Sequence, residues 1–533
     1  MIRTDSMDKK FYITTPIFYV NAAPHLGHAY ADVIADTLAR WHRNQGERTF
    51  FLSGTDEHGA KIVRAAEKVG LSTKEFVEKH RDEFKKLLTA LGAQQDDFIY
   101  TSDSERHWPG AQAFWKKLVD AGDLYKATYK GLYCVGHEAF VTEKDLVDGK
   151  CVDHNQAPEE IAEENYFFRL SKYKDRIREA IASDQMQILP ASRKKEILAF
   201  LGEGVEDISF SRPSKDISWG IPVPDDHEHT MYVWADALTN YISALGYGRS
   251  DDANFKIFWP ADAHIIGKDI LRFHAAIWPG MLLSAGLPLP RRLLVTGMIR
   301  SAGQKMSKTL GNVIDPHEFI SAYGKDAFRY FLLREIPLGE DGDFTRERFA
   351  NVYEGNLAHG MGNLVSRTAA MINKYFEGEL HRPSAEALAT VPTRRVLKHE
   401  VLASRVSLDG SALDVYFERD IAEEFGRAMF EYRLTDAITM LSGFFSLLDG
   451  YIQDYEPYRL VKTDPDKTKA VLWNVAIHII RAARLLEAFM PETAAKMTRA
   501  FGVTIETKED PVTLRVVSGE ALFPSKVDGP KAD

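Results

Sequence analysis

Short apolar, β-branched runs alternate with helical-period stretches over the first ninety or so positions of the chain. Phe11 to Thr15 reads as a strand, and the segment that follows, opened by His25-Leu26-Gly27-His28, carries a helical apolar period. Thr49 to Ser53 reads as a second strand, with Asp56-Glu57-His58-Gly59 at its C-terminal end. A capping box, Ser72-Thr73-Lys74-Glu75, starts the next helix and Gly92 stops it. Strands and helices alternating in this way build a doubly wound parallel sheet whose ligand crevice lies at the strand C-termini. From about Trp108 to Pro224 the pattern changes, and Tyr125, Tyr129, Tyr133, two cysteines and short mixed segments predict an inserted α+β domain. Strand signals resume at Thr230 to Trp234, Ile257 to Trp259, His264 to Ile266 and Leu293 to Thr296.

Beyond Tyr323 the period becomes helical. Leu472, Val475, Ile479, Ala482, Leu486 and Phe489 recur at three and four, with no Gly or Pro between Asp466 and Met490, which predicts a helix with one buried stripe in a helical bundle. Pro383 and Pro392 bracket an expected loop, and the tail from Thr507, with Pro511, Pro524 and Pro530, receives no element. The fold class expected is therefore α/β: a doubly wound parallel, Rossmann-type sheet split by an inserted α+β domain and followed by a C-terminal α-helical bundle. The expected boundaries are 9–115 and 229–300 for the two halves of the sheet, 116–228 for the insert, 301–362 for a connecting region and 363–533 for the helical domain.

Composition changes this picture little. At 533 residues the chain exceeds what one core supports, and 45% hydrophobic with 27% charged residues is ordinary for a globular protein. No apolar stretch is long enough to span a bilayer and Met1 to Lys10 has no signal-peptide core, so the cytosol is the expected location. Two cysteines, Cys134 and Cys151, argue against a disulfide scaffold and leave reduced thiols or metal ligation. The net charge of −10 governs only long-range behaviour, and Arg193-Lys194-Lys195, Arg291-Arg292 and Arg394-Arg395 remain as local basic patches, each readable by itself as a solvated face.

Chemistry concentrates in two places. His25 and His28 flank Gly27 at a helix N-terminus, where backbone N–H groups and the helix dipole favour anions. Far downstream, Lys305-Met306-Ser307-Lys308-Thr309 lies between Gly303 and Gly311. Donors from His25 and His28 on one side and from Lys305 and Lys308 on the other would stabilise attack at an α-phosphorus without a covalent enzyme intermediate. Either motif alone reads equally well as a helix start with a buried histidine or a surface lysine loop; together they point to ATP chemistry.

At these residues the chain resembles the class I aminoacyl-tRNA synthetases. The stretch Thr14-Thr15-Pro16-Ile17-Phe18-Tyr19-Val20-Asn21, with Gly54-Thr55-Asp56-Glu57-His58-Gly59, Tyr232-Val233-Trp234-Ala235-Asp236-Ala237-Leu238 and Gly267-Lys268-Asp269-Ile270, narrows the resemblance to the methionyl family. Leu26 replaces isoleucine and Thr309 replaces serine in the two family motifs, keeping size or hydroxyl. The resemblance implies a ligase that makes methionyl-adenylate from methionine and ATP with Mg²⁺, then esterifies tRNA(Met). It implies ATP contacts at Gly27, His25, His28, Gly267, Asp269, Lys305 and Lys308, and methionine contacts at Ile17, Tyr19, Asp56, Trp234, Ala237, Leu238, Tyr241, Ile270 and His274. The chemistry agrees: Asp56 suits an ammonium, and a thioether suits aromatics with a weak hydrogen bond from Tyr19 or His274. Without the resemblance, Trp234, Tyr241 and Ile270 read as core.

By the same resemblance Asn363 and Arg367 meet anticodon bases, and Tyr458 stands where the family carries a stacking tryptophan. The alternatives are a helix cap for Asn363, a solvated face for Arg367 and a bundle-core position for Tyr458. Cys134-x-x-His137 and Cys151-x-x-His154 supply four N/S ligands for structural zinc, with His137 where zinc-bearing relatives have cysteine. The insert is too short for an editing domain, so discrimination is expected in the pocket, and a monomer is expected. Two other functions share these features: a small-molecule adenylyltransferase on the same core, and a tRNA-binding protein without catalysis.

Overall fold

The computed structural model describes residues 9–134, 139–141, 146–152, 155–306, 312–391, 412–507, 509–517 and 521–526. His137, His154, Lys308, Pro392, Arg394, Arg395 and Pro530 lie outside them. The chain divides into two compact units, one of residues 1–298 with 314–316 and one of 299–313 with 317–533.

The first unit is organised by a six-stranded parallel sheet. Its strands are β1 (Lys10–Tyr19), β2 (Arg48–Asp56), β3 (Asp97–Tyr100), β6 (Gln187–Leu189), β7 (Ala263–Gly267) and β8 (Arg292–Thr296), in the order β3-β2-β1-β7-β8-β6. Helix α1 (Leu26–Asn44) follows β1, and α2 (Thr73–Leu91) is capped by Ser72 and closed by Gly92 in the left-handed region, φ 67°. Strand order reverses between β1 and β7, so the crevice at their C-terminal ends is the switch point at which such sheets bind ligands. Gly54 on β2 faces β3 so closely that a Cβ would lie 2.3 Å from the Ile99 carbonyl oxygen. Pro16 has no N–H to give to the ladder, and the β1–β2 register slips between Thr14 and Ile17.

Between the sheet halves, β4 (Leu124–Cys134) and β5 (Glu159–Phe168) form a long antiparallel ladder flanked by Ile208–Ser209 and Ala139–Val141. Two expected strands are different elements. Residues 230–234 split into the end of strand Asp226–Met231 and the start of helix α3 (Val233–Ala237), and 257 and 258 are the last residues of helix Ala253–Phe258, with Trp259 as its C-cap.

The second unit opens with a hairpin, Ile299–Ser301 and Gln304–Lys305, whose turn residues Ala302 and Gly303 both have positive φ, 51° and 75°. Helices α4 (Asn363–Phe376), α5 (Leu434–Tyr455) and α6 (Pro465–Leu486) dominate the rest. Every residue of α6 from Ala470 to Ile480 is buried, so that stretch has no solvent face where a single stripe was expected. Fully buried Arg329 donates to the carbonyls of Phe489 at 2.7 Å and Ala488 at 3.1 Å, just past the end of α6. The expected loop after Pro383 contains a short helix, Ala385–Ala389, and the tail returns as strand Thr513–Arg515 beside Glu379–His381. Among the described residues no helix is long and apolar enough to cross a membrane.

Candidate active site

The N-terminus of α1 is built from its own two histidines. His25 is the N-cap, its Nδ1 accepting from the Gly27 N–H at 3.1 Å, while the His25 N–H donates to His28 Nδ1 at 3.0 Å. The rings stack with centroids 3.8 Å apart. Since each Nδ1 accepts, a neutral ring must carry its proton on Nε2. Both rings are neutral near pH 7: desolvation, opposed by Asp269, lowers His25, and desolvation with the adjoining His25 ring holds His28 well below the usual imidazole range. The helix start therefore combines the positive end of a dipole with two Nε2–H donors. The charge of Asp269 reaching His25 puts the turn after β7 beside the turn after β1. Gly267 ends β7 and opens that turn, where a Cβ would come 2.4 Å from Asp269 Oδ1.

The strand that leads into this cap packs against an aromatic cluster. Ile17 and Tyr19 emerge half-buried at the end of β1, two residues apart and so on one face. Half-buried Trp234 stacks flat on Phe273, 3.9 Å between centroids, and stands edge-on to His274 at 6.0 Å. Ala237, Leu238 and Tyr241 are buried beside it. The Tyr241 hydroxyl is 2.8 Å from His274 Nε2, and His274 Nδ1 is 3.0 Å from the Ile270 carbonyl. A carbonyl only accepts, so Nδ1 carries the proton and Nε2 receives the Tyr241 O–H. Burial lowers His274 to about 4 and pushes the Tyr241 hydroxyl up, leaving both neutral. The donor expected from His274 to a thioether is thus already committed to Ile270. Asp56 ends β2 where its charge reaches Tyr241, its Oδ1 accepting from Thr101 Oγ1 at 3.3 Å and from the His58 N–H at 3.4 Å.

A buried group absent from the expected set holds these parts. The Asp236 carboxylate accepts from His58 Nδ1 through one oxygen and from His107 Nε2 through the other, each at 2.6 Å. Burial alone would raise this carboxyl; the two facing imidazoles more than offset that and hold it below the ordinary carboxylate range. His58 and Asp236 both stand in runs quoted above, but 178 residues separate them and nothing local announces the pairing.

The expected nucleotide and amino-acid residues that precede Lys305 thus all belong to the first unit. Lys305 ends the hairpin of the second unit, and Lys308 falls outside the described residues. Also in the second unit, Arg367 pairs with Asp449 at 2.6 Å and Asn363 is exposed. Asn363 caps nothing, because its helix continues from the π-helical stretch Tyr353–Gly362. Tyr458 is 49% exposed with its hydroxyl donating to Glu456, which excludes the bundle-core alternative. In the insert, Cys134 and Cys151 are both buried and share one small cluster with Val141. Among the described residues no group of three or more His, Cys, Asp or Glu is disposed to hold a metal ion.

The family described as "tRNA synthetases class I (M)" matches residues 11–153 and 141–369. The methionine–tRNA ligase of Caldanaerobacter subterraneus subsp. tengcongensis is 41% identical over 532 residues, 97% of this chain and 79% of that protein. That of Brucella suis biovar 1 is 40% identical over 506 residues, 94% of this chain and 93% of that protein. Among solved structures, Mycobacterium tuberculosis methionyl-tRNA synthetase bound by methionyl-adenylate superimposes with a TM-score of 0.87 at 33% identity, covering 97% of this chain and all of that one. Its apo form gives 0.82 at 31% identity, covering 98% of this chain and 99% of that one. The sheet topology, the histidine-capped helix at its switch point and these similarities converge, and the chain belongs to the methionyl-tRNA synthetase family of class I aminoacyl-tRNA synthetases.

Proposed function

We propose that this protein is a methionine–tRNA ligase that works by in-line displacement. A methionine carboxylate oxygen attacks the α-phosphorus of ATP, the bond to the pyrophosphate leaving group breaks, and the adenylate forms. The 3′-terminal ribose hydroxyl of tRNA(Met) then attacks the carbonyl carbon and AMP departs. The observation that carries this reading is the double-histidine cap: two neutral imidazoles with Nδ1 committed to backbone N–H groups present Nε2–H donors beyond a strand that packs against an aromatic cluster. Such donors act on charge that grows on the phosphoryl oxygens during attack. Lys305 and Lys308 supply cationic donors to the same phosphates, and Gly27, Gly267 and Asp269 frame the nucleotide.

Asp56 receives the methionine ammonium while Ile17, Tyr19, Trp234, Ala237, Leu238, Tyr241, Ile270 and His274 enclose the side chain. With Tyr241 and His274 hydrogen-bonded to each other and neutral, the pocket presents aromatic surface with no charge, which suits a polarizable thioether better than any polar side chain. Mg²⁺ accompanies ATP as part of the substrate. Asn363, Arg367 and Tyr458 read the anticodon, Tyr458 by stacking.

The buried sulfurs of Cys134 and Cys151, gathered in one cluster, fit a soft metal, and zinc there, with His137 and His154, would cross-link the insert. Metal analysis of protein purified without chelator is expected to find about one zinc per chain; well under that leaves the insert to fold by packing. The ligase acts as a monomer in the cytosol. Amino-acid-dependent ATP–pyrophosphate exchange tests the function: methionine should drive it and leucine, isoleucine and cysteine should not. No exchange with methionine would leave a tRNA-binding protein, and exchange without tRNA charging an adenylyltransferase.

A further inference from the structure

The side chain of Asp236 lies 1% exposed, and the two rings that hold it, His58 and His107, are buried as well. A carboxylate taken out of water is costly unless its oxygens are satisfied, and here each oxygen has one imidazole N–H at 2.6 Å. Each partner is itself fixed. The His107 Nδ1 is 2.8 Å from Ser243 Oγ, and the His58 ring is walled by Trp108 and Trp219, with centroids 6.2 and 5.9 Å away. Trp219 Nε1 donates to the Glu57 carbonyl at 2.6 Å, and Glu57 N–H donates to Thr101 Oγ1 at 2.7 Å. The loop that follows β2 is thereby clamped at Glu57 and His58, directly after Asp56.

The position of the carboxylate gives this arrangement a consequence for binding. Asp236 sits in helix α3, two residues after Trp234 and one before Ala237. His58 sits two residues after Asp56, and its own backbone N–H meets Asp56 Oδ1. We propose that Asp236 is the positioning residue of the methionine pocket: through His58 it locks the wall that meets the substrate ammonium to the wall that meets the substrate side chain. The spacing between the two walls is then a property of one hydrogen bond between segments far apart in sequence. His107 anchors the carboxylate from behind, so that Asp236 cannot follow His58 if the loop moves. This inference rests on the assignment of Asp56 and Trp234 to methionine.

The test is steady-state ATP–pyrophosphate exchange with methionine and ATP varied separately. His58→Ala removes the donor, whereas His58→Asn keeps an amide N–H where Nδ1–H stands. His58→Ala and Asp236→Asn should each raise KM for methionine about tenfold, as the loss of a charge-assisted hydrogen bond does when transmitted in full, with KM for ATP and kcat within about twofold. His58→Asn should bring KM for methionine back to within about threefold of the parent. A purely structural role would instead shift both KM values together or lower the active fraction, and His58→Asn would give no selective recovery; either result overturns the proposal. If Asp236→Asn does not fold, the His58 pair decides. Asp56→Asn is the control: if it leaves KM for methionine unchanged, the pocket assignment itself fails; if it raises that KM while His58→Ala does not, only the positioning role falls.

Discussion

A histidine that caps a helix with its Nδ1 has only its Nε2 proton left to give. In His25 and His28 the same geometry that satisfies helix N–H groups therefore fixes the tautomer, and low basicity keeps both rings as donors of a single N–H. Replacing His28 with alanine should cost about 2.7–4 kcal/mol in adenylate formation, the size of one lost transition-state donor, with methionine affinity little changed. Lys308→Ala should act likewise. Pyrophosphate exchange under saturating substrates reads both, and near-normal exchange in Lys308→Ala with unaltered ATP dependence would remove that lysine from the chemistry. Loss of His28 also leaves the His25 N–H without its side-chain acceptor and weakens the start of α1 by about 1 kcal/mol, so the unfolding midpoint of His28→Ala should be measured beside its rate.

At the scale of elements, α6 carries a further titratable group. His478 is fully buried, with Nδ1 donating to the Asn474 carbonyl at 2.7 Å and its ring edge-on to Phe417 and Phe444. Burial, and then Arg481, bring its pKa to about 4 from the ordinary 6.5. The unfolded chain therefore takes up a proton that the folded chain refuses between these values. The contribution is complete above about pH 6.5 and is lost as pH falls towards 4, by up to about 3 kcal/mol. Urea unfolding at about pH 7 and about pH 5 should show this slope, and His478→Gln should flatten it; an equal slope in the variant would place the acid sensitivity elsewhere.

Elements whose signals are local were legible. Ser72 and Glu75 form the reciprocal cap their spacing predicts, and Gly92 takes the left-handed turn. Ile257 to Trp259 failed because three apolar residues in a row carry no period, and the helix they close is six residues long. The single stripe read from α6 failed for another reason: small residues such as Ala476 and polar ones such as Asn474, which pass for a solvent face, are buried by neighbouring helices. The site divides in the same way. The cap, Asp56 and Trp234 stand in contiguous motifs, whereas the Asp236 bridge exists only once the chain has folded.

For the whole molecule, the two units separate what can be lost. The described residues proposed for adenylate formation, apart from Lys305, belong to the first, and Asn363, Arg367 and Tyr458, proposed for the anticodon, to the second. Tyr458→Ala should weaken tRNA binding by about 1–3 kcal/mol, one base–aromatic stack, while methionine activation stays intact. The discriminating comparison is charging of tRNA with the CAU anticodon against a mutated one. Equal charging of both by the parent protein, or an unchanged ratio in Arg367→Ala, would remove this surface from anticodon reading. The absence of a solvent face along α6 from Ala470 to Ile480 bears on how genetic data from this protein will look. A screen for inactivating substitutions will collect hits along Ala470 to Ile480 as densely as around His25, because a charged or oversized side chain there has nowhere to go. Those variants will be scarce in the cell, where variants of the histidine cap will be abundant and idle, so protein level scored beside growth separates a map of folding from a map of chemistry.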